Sequence, residues 1–354
     1  MPQINEGLGL LSEQFMLLAG FAYMVAFCAF AWDLVTFSKT VKKGIATEES
    51  ANAAELVSAG ASRTKAQDLG AGPLDRGIRP SSKTHAGSDG VTAGDSMRYG
   101  KAKRVVARVA VALTILAAAV HGLAVVFRGM AAGRVPWGNM YEFCTTGSFA
   151  VIVVFLIVLT RRDLRFLGTF VVGLVLVMLT AASVSFWTPV GHLVPALQSY
   201  WLVIHVSIAV ISSAMFTLTF AMSVLQLFQA KREASIAAGK KDRAPVMRLV
   251  PNALSLENLS YRINGIAFVG WTVTVMFGSI WAEKAWGRFW GWDTKEVWSF
   301  VIWVVYAGYL HARATRGWSG TRAAWLSIVG YLCIIFNFTI VNVYFSGLHS
   351  YAGL

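Results

Sequence analysis

Apolar residues along this 354-residue chain fall into long, nearly unbroken runs separated by short polar breaks. A helix needs about 20 apolar residues to cross the hydrocarbon core of a bilayer. By that measure the pattern predicts eight spans, near 15–36, 105–127, 144–160, 166–187, 201–229, 264–282, 297–312 and 323–345. The third and seventh runs are short, and the fifth is long enough to tilt or to project beyond the bilayer. The pattern breaks between the first two spans. Residues 45–100 are Ala, Gly, Ser and Thr with scattered charges of both signs and almost no large apolar side chains. Such a composition buries too little surface to offset its ordering entropy. It predicts a largely disordered cytoplasmic linker across 38–104, of which 45–100 is dispensable for ligand binding. Residues 251–262 read as a short amphipathic helix leading into the sixth span. The predicted fold class is an all-α polytopic integral membrane protein. Its parts are a first transmembrane helix (1–37), the linker, and a seven-helix domain (105–354).

Composition sharpens this picture. The chain is 56% hydrophobic and 14% charged, where soluble domains run to about a quarter charged. A net charge of +13 raises the question of nucleic acid, and the placement of the charge answers it. With the N-terminus outside, the segments 38–104, 161–165, 231–262 and 313–322 are cytoplasmic and hold 25 of the 31 Lys and Arg. The positive-inside rule therefore predicts an N-out, C-out protein whose excess charge faces membrane lipid at the inner surface, with no nucleic-acid partner. Cys28, Cys144 and Cys333 lie far apart, which predicts neither a disulfide framework nor a thiolate metal site. There is no C-x-x-C-H and hence no covalent c-type haem of the chain's own. No basic leader precedes the first apolar run, so no cleaved signal peptide is expected.

On this topology "WAEKAWGRFWGWDTKEVWSF", residues 281–300, forms an outer loop over 281–298 holding five tryptophans, three acids and three bases. Tryptophan is enriched at bilayer interfaces, so an aromatic belt explains any one of these indoles. It explains the group less well. Six of the 13 tryptophans fall between Trp281 and Trp303, interleaved with Gly287 and Gly291, beside Arg288 and Lys295. Indoles, glycine gaps and cations together suit a flat, hydrophobic, anionic ligand. Asp293 and Glu296 have the spacing of a helix N-cap and its N3 partner, and part of their role is expected to be capping the seventh span.

Ionisable groups inside spans are costly and default to a functional hypothesis. His205 lies about a turn inside the outer end of the fifth span, and His349 just past the outer end of the eighth. Both flank the tryptophan stretch at one depth. Neutral imidazole is a common haem ligand, and two at one level could hold a planar porphyrin from both sides. His311 sits at the cytoplasmic end of the seventh span, where favourable placement at a helix C-terminus and ligation fit equally. His121 has no partner visible at its depth, His192 lies in the loop between spans four and five, and His85 in the linker.

"WGRFWGWDTKEVWS" is similar to the tryptophan-rich WWD signature of haem-handling proteins of cytochrome c biogenesis. The whole arrangement resembles the CcsA/ResC family, called CcsB in some bacteria. "RVPWGNMYEF" (134–143) resembles its first outer-loop motif, "LQSYWLVIHV" (197–206) the motif with the first external histidine, and "GLHSY" (347–351) that with the second. Residues 281–311 resemble the WWD segment and the histidine that follows it. Chain length sets the related system I proteins CcmC and CcmF aside. The resemblance implies haem b as substrate and bound ligand, with His205 and His349 as outer ligands of the haem iron and His311 as an intramembrane ligand. It implies a haem surface of Trp286, Arg288, Trp290, Trp292, Asp293, Glu296 and Trp298, with Asn139 and Glu142 from the first motif. No residue of the chain is expected to act as a nucleophile. The implied activity is that of a system II cytochrome c synthase (haem lyase) subunit, attaching haem vinyls to C-x-x-C-H thiols of apocytochrome c. The implied partners are a ResB/Ccs1-type membrane protein, apocytochrome c and a thiol-reducing thioredoxin-like pathway. The implied location is the bacterial cytoplasmic membrane, with the haem site on its external side. A haem exporter without synthase chemistry and a di-haem membrane cytochrome b remain open. Gly138 and Thr294 depart from the family pattern, which has a small hydroxyl residue and often Pro at those positions.

Overall fold

The computed structural model describes residues 3–67 (backbone alone from 39), 96–99, 104–315 and 318–349. All regular structure among them is helical: α1 (Glu6–Gln67), α2 (Val105–Ala132), α3 (Met140–Arg161), α4 (Gly168–Ser185), α5 (Tyr200–Ala237), α6 (Ala253–Trp286), α7 (Thr294–Ala314), α8 (Thr321–Phe338) and α9 (Ile340–Tyr344). Seven helical stretches among the described residues are long and apolar enough to cross a membrane. These are Glu6–Ser38, Val105–Ala132, Met140–Arg161, Arg165–Ser185, Tyr200–Ala237, Ala253–Trp286 and Thr321–Tyr344. The seventh predicted span, 297–312, is the helix α7, which stands outside that set. At 21 residues it has the length, but Lys295, Glu296, His311 and Arg313 at its two ends dilute its apolar character.

The helix ends follow local chemistry. Gly133 closes α2 in the left-handed region, at φ 62°, a conformation glycine adopts without penalty. Asn139 opens α3 by accepting from the Glu142 N–H at 2.9 Å, and Asn252 opens α6 by accepting from Ser255 N–H at 2.7 Å. Asp293 and Glu296 form the predicted capping box at α7. Thr294 is its first helical residue, the position where proline is favoured but not required.

Three predicted boundaries shift. The stretch 251–262 is no separate amphipathic helix: α6 runs from Ala253 to Trp286 without a break. The 281–298 loop shrinks to 287–293, because Trp281–Trp286 complete α6 and Thr294–Trp298 begin α7. Residues 45–67, expected within a disordered linker, are helical and continue α1. Their Ala, Glu, Lys and Gln residues have high intrinsic helix propensity, which the low hydrophobicity concealed. Residues 68–95 and 100–103 lie outside the described residues, as does His85.

Two large apolar clusters dominate the core. One joins α1, α2, α3, α4 and α5 with Leu256 and Ile263 of α6, the other α5, α6, α7 and α8, so α5 and α6 are common to both halves. Close approach at the α1–α4 contact depends on Gly168, where a Cβ would run into the Phe30 ring. Buried polar side chains bind α5 to its neighbours: Thr219 donates to Asn264 at 2.5 Å and Thr217 to the Tyr331 hydroxyl at 2.9 Å. Such bonds join helices where water is absent. The connections gather at two ends. At one end Asn5 N–H donates to Ala131 C=O at 3.0 Å. There Arg134 reaches Gly191 C=O at 2.9 Å, and Trp281 Nε1–H donates to Ala196 C=O at 3.1 Å. The N-terminus, the 133–139, 186–199 and 287–293 connections, and His349 therefore share that end.

Candidate functional site

A cavity of about 140 Å³ opens at that shared end. It is walled by α3, α5, α6, α7, α8 and the terminal segment, and both His205 and His349 line it. A second cavity of about 70 Å³ adjoins it, bounded by the same two histidines together with Phe289 and Trp290. Trp281, buried on α6, stands beside both imidazoles. It stacks on His205 at 6.0 Å and 10° and meets His349 edge-on at 5.5 Å. Trp286, one turn further along α6, packs on His349 at 4.9 Å and on Trp281 at 4.7 Å.

Each histidine is held by one nitrogen. His205 Nδ1 lies 2.9 Å from the Thr274 carbonyl. A carbonyl only accepts, so Nδ1 carries the proton and Nε2 keeps its lone pair. Gly278 makes room for this ring, since a Cβ there would lie 2.7 Å from His205 Cε1. His349 Nδ1 lies 2.7 Å from Asp293 Oδ2. The hydrogen bond from His349 holds the Asp293 carboxyl below the usual carboxylate range, against the opposing effect of burial. An ionised Asp293 accepts, and Nε2 of His349 is again the free nitrogen. A ligating histidine whose other N–H is fixed by a carbonyl or carboxylate is the usual outer-shell arrangement of metal sites. Both imidazoles are thus tautomerically suited to bind a metal through Nε2.

The 287–293 connection is organised by Glu296. Its Oε2 accepts from Gly291 N–H at 2.8 Å and Asp293 N–H at 3.1 Å, and Arg288 approaches Oε1 at 3.5 Å. Gly287 ends α6 at φ 71° with open space around it, so its role is conformational. Gly291 leaves room for the Arg288 guanidinium. Trp292 is the unusual residue: it holds φ 61° without being glycine and is 75% exposed. A side chain held in that region costs on the order of 1–3 kcal/mol and clusters at functional sites. Trp290 meets Trp292 edge-on at 6.0 Å, and Trp298 packs away from the cavities, on Phe336 at 4.3 Å.

The residues named from sequence separate accordingly. His205 and His349 come together, with Trp286 against His349 and Trp290 on the smaller cavity. Asn139 lines the larger cavity while capping α3. Glu142 lies elsewhere, fully buried, accepting from Arg128 at 3.1 Å, Arg134 at 2.7 Å and Gly138 N–H at 2.7 Å. Glycine at 138 fits because Arg134 fills the space a side chain would need. His311 is exposed near the far end of α7, about 27 Å from Asp293 at 1.5 Å per helical residue. His121 is buried with both nitrogens engaged, by Thr145 C=O at 3.0 Å and the Tyr23 hydroxyl at 3.3 Å. His192 is exposed in its connection. Reading the sequence alone missed Trp281, Thr274 and Gly278. Only Trp281 carried a signal, its place at the head of the tryptophan stretch.

These features define a multi-pass membrane protein that brings two imidazoles and a group of indoles to one end of a helical bundle. Residues 137–349 match the family described as Cytochrome C assembly protein. The chain is 31% identical over 282 residues to the cytochrome c biogenesis protein CcsA of Porphyra purpurea, covering 70% of this chain and 88% of that protein. It is 34% identical over 248 residues to the protein of that name from Heterosigma akashiwo, covering 62% and 77%. With the protein of that name from a Synechococcus strain the identity is 42% over 175 residues, covering 45% and 56%. The chain belongs to the cytochrome c assembly family, in its CcsA branch, and its role lies in cytochrome c biogenesis.

Proposed function

We propose that this chain holds haem b at the shared end of its bundle, with His205 and His349 as axial ligands through their Nε2 atoms. With a ResB/Ccs1-type partner it presents the haem vinyls to apocytochrome c. The observation that carries this reading is that both imidazoles face one cavity with Nδ1 already bonded, to Thr274 C=O and to Asp293. The placement of the cationic segments supports putting this end outside.

The reaction adds each substrate Cys S–H across a vinyl C=C. A carbon–sulfur bond forms at the carbon nearer the ring and the thiol proton goes to the terminal carbon, so no oxidant is consumed. The chain supplies position rather than a nucleophile. Well-oriented reactants can remove roughly 7–11 kcal/mol of barrier. The incoming C-x-x-C-H histidine would displace one of the two axial imidazoles and release the product. His311, exposed on α7, suits an earlier haem contact completed by a histidine of the partner. A di-haem cytochrome b needs a second pair within the chain, and His121, with both nitrogens engaged, does not supply it. Reconstituting haem attachment with and without the partner tests the synthase reading: attachment requiring both proteins supports it, and attachment by the partner alone reduces this chain to a haem carrier.

A further inference from the structure

The wall of the larger cavity carries unused hydrogen-bonding capacity. Trp137 Nε1 and Thr274 Oγ1 are buried without a hydrogen-bond partner, and both residues line it. Such groups are costly to leave unmade. Lys295 lines this cavity and its smaller neighbour. Its ammonium has three donors, and the one hydrogen bond it makes goes to a neutral amide, Asn342 Oδ1, at 3.0 Å. The two acids closest in sequence are committed elsewhere: Asp293 to His349 and Leu348 N–H, Glu296 to Arg288, Gly291 and Asp293. Among the described residues the site therefore has a cation and two unpartnered donors but no free anion. Lys295 is half-buried, and a cation partly withdrawn from water is costly unless an opposite charge meets it.

From this arrangement we infer that Lys295, with the Trp137 indole N–H and the Thr274 hydroxyl, is a carboxylate-binding subsite that takes a haem propionate and so fixes the rotation of the macrocycle. The inference rests on the haem reading above and adds the group that orients the ligand. Arg288 is the other cation of the region and is spoken for, since it faces Glu296 and lies over Trp286 at 5.9 Å. Lys295 is a positioning residue here: it touches the ligand's carboxylate, away from the iron and the vinyls. Thr274 would link the two ends of the site, its carbonyl fixing His205 and its hydroxyl facing the propionate.

The test compares haem with haem dimethyl ester, whose propionates cannot carry charge, by Soret titration of the purified full-length protein. Wild type should give the low-spin bis-imidazole band with both and should prefer haem by roughly tenfold or more, the scale of a charge-assisted hydrogen bond. Lys295→Met should abolish that preference with the band unmoved. Lys295→Arg should restore part of it, and Lys284→Gln, at an exposed cation paired with Glu283, should retain it. Equal binding of the two porphyrins by wild type overturns the inference, and so does a preference that survives Lys295→Met. Either result with the bis-imidazole band intact leaves the histidine assignment standing, whereas loss of the band in wild type with both porphyrins overturns both. If Lys295→Met does not fold, the wild-type comparison and Lys295→Arg decide the matter.

Discussion

His349 Nδ1 donates to Asp293 Oδ2 at 2.7 Å, joining the end of the chain to the N-cap of α7. Asp293 Oδ1 also accepts from Leu348 N–H at 3.2 Å, so one carboxylate both opens a helix and aims an imidazole. Asp293→Asn keeps a good capping residue but removes the charge. Outer-shell changes of this kind cost about 10- to 100-fold in metal affinity. Haem binding should weaken on that scale with thermal stability nearly unchanged. Asp293→Ala adds the loss of the cap, about 0.5–2 kcal/mol, and should lower the melting temperature as well. Absorbance titration and thermal unfolding in detergent separate the two effects.

Gly278 sets the position of the other imidazole. A Cβ would lie 2.7 Å from Cε1 and 2.9 Å from Nδ1 of His205, so Gly278→Ala must displace a ring anchored on Thr274. Misplacement on the ångström scale costs on the order of 10²-fold in a positioned reaction, and cytochrome c maturation should fall accordingly. Gly265, on the same helix with open space around it, is the control. Its change to Ala should leave maturation intact.

Glu142 should behave as a structural residue. It is fully buried between Arg128 and Arg134, and removing one partner of a buried ion pair costs about 3–5 kcal/mol. Glu142→Gln should therefore reduce the amount of folded protein, while the haem spectrum of the surviving fraction keeps its position. A changed spectrum at normal protein level would assign Glu142 to the ligand instead.

At the other end of the bundle, burial pulls the Asp242 carboxyl upward but hydrogen bonds from Arg232 and Arg248 outweigh it, holding the group below its ordinary value. A depressed carboxylate contributes stability above its unfolded pKa, about 3.9, and loses it as pH falls through the folded value. Thermal unfolding should show a decline below about pH 4 that Asp242→Asn reduces.

Much of this was legible in the sequence because membrane helices announce themselves by length and apolarity. The Asp293–Glu296 spacing foretold the capping box, and the shared depth of His205 and His349 foretold their meeting. What was hidden is long-range. Nothing local marks Gly278 as the space for His205, or Asp293 as the partner of a histidine 56 positions away. The tryptophan stretch read as one loop because aromatic residues give no boundary signal, yet Trp281 and Trp286 are helical and only Gly287 ends α6. Residues 45–67 misled in the opposite sense, since helix propensity and low hydrophobicity pointed to different states.

The most direct test of the account is the absorption and EPR spectrum of haem bound to the purified protein with its partner, in wild type and in His205→Ala and His349→Ala. The account predicts a low-spin bis-imidazole spectrum in wild type and its loss in either variant. Added imidazole should restore it by filling the empty coordination position, with partial recovery of cytochrome c maturation. A wild-type spectrum that persists unchanged in both variants would contradict the assignment of the two histidines and, with it, the proposed site.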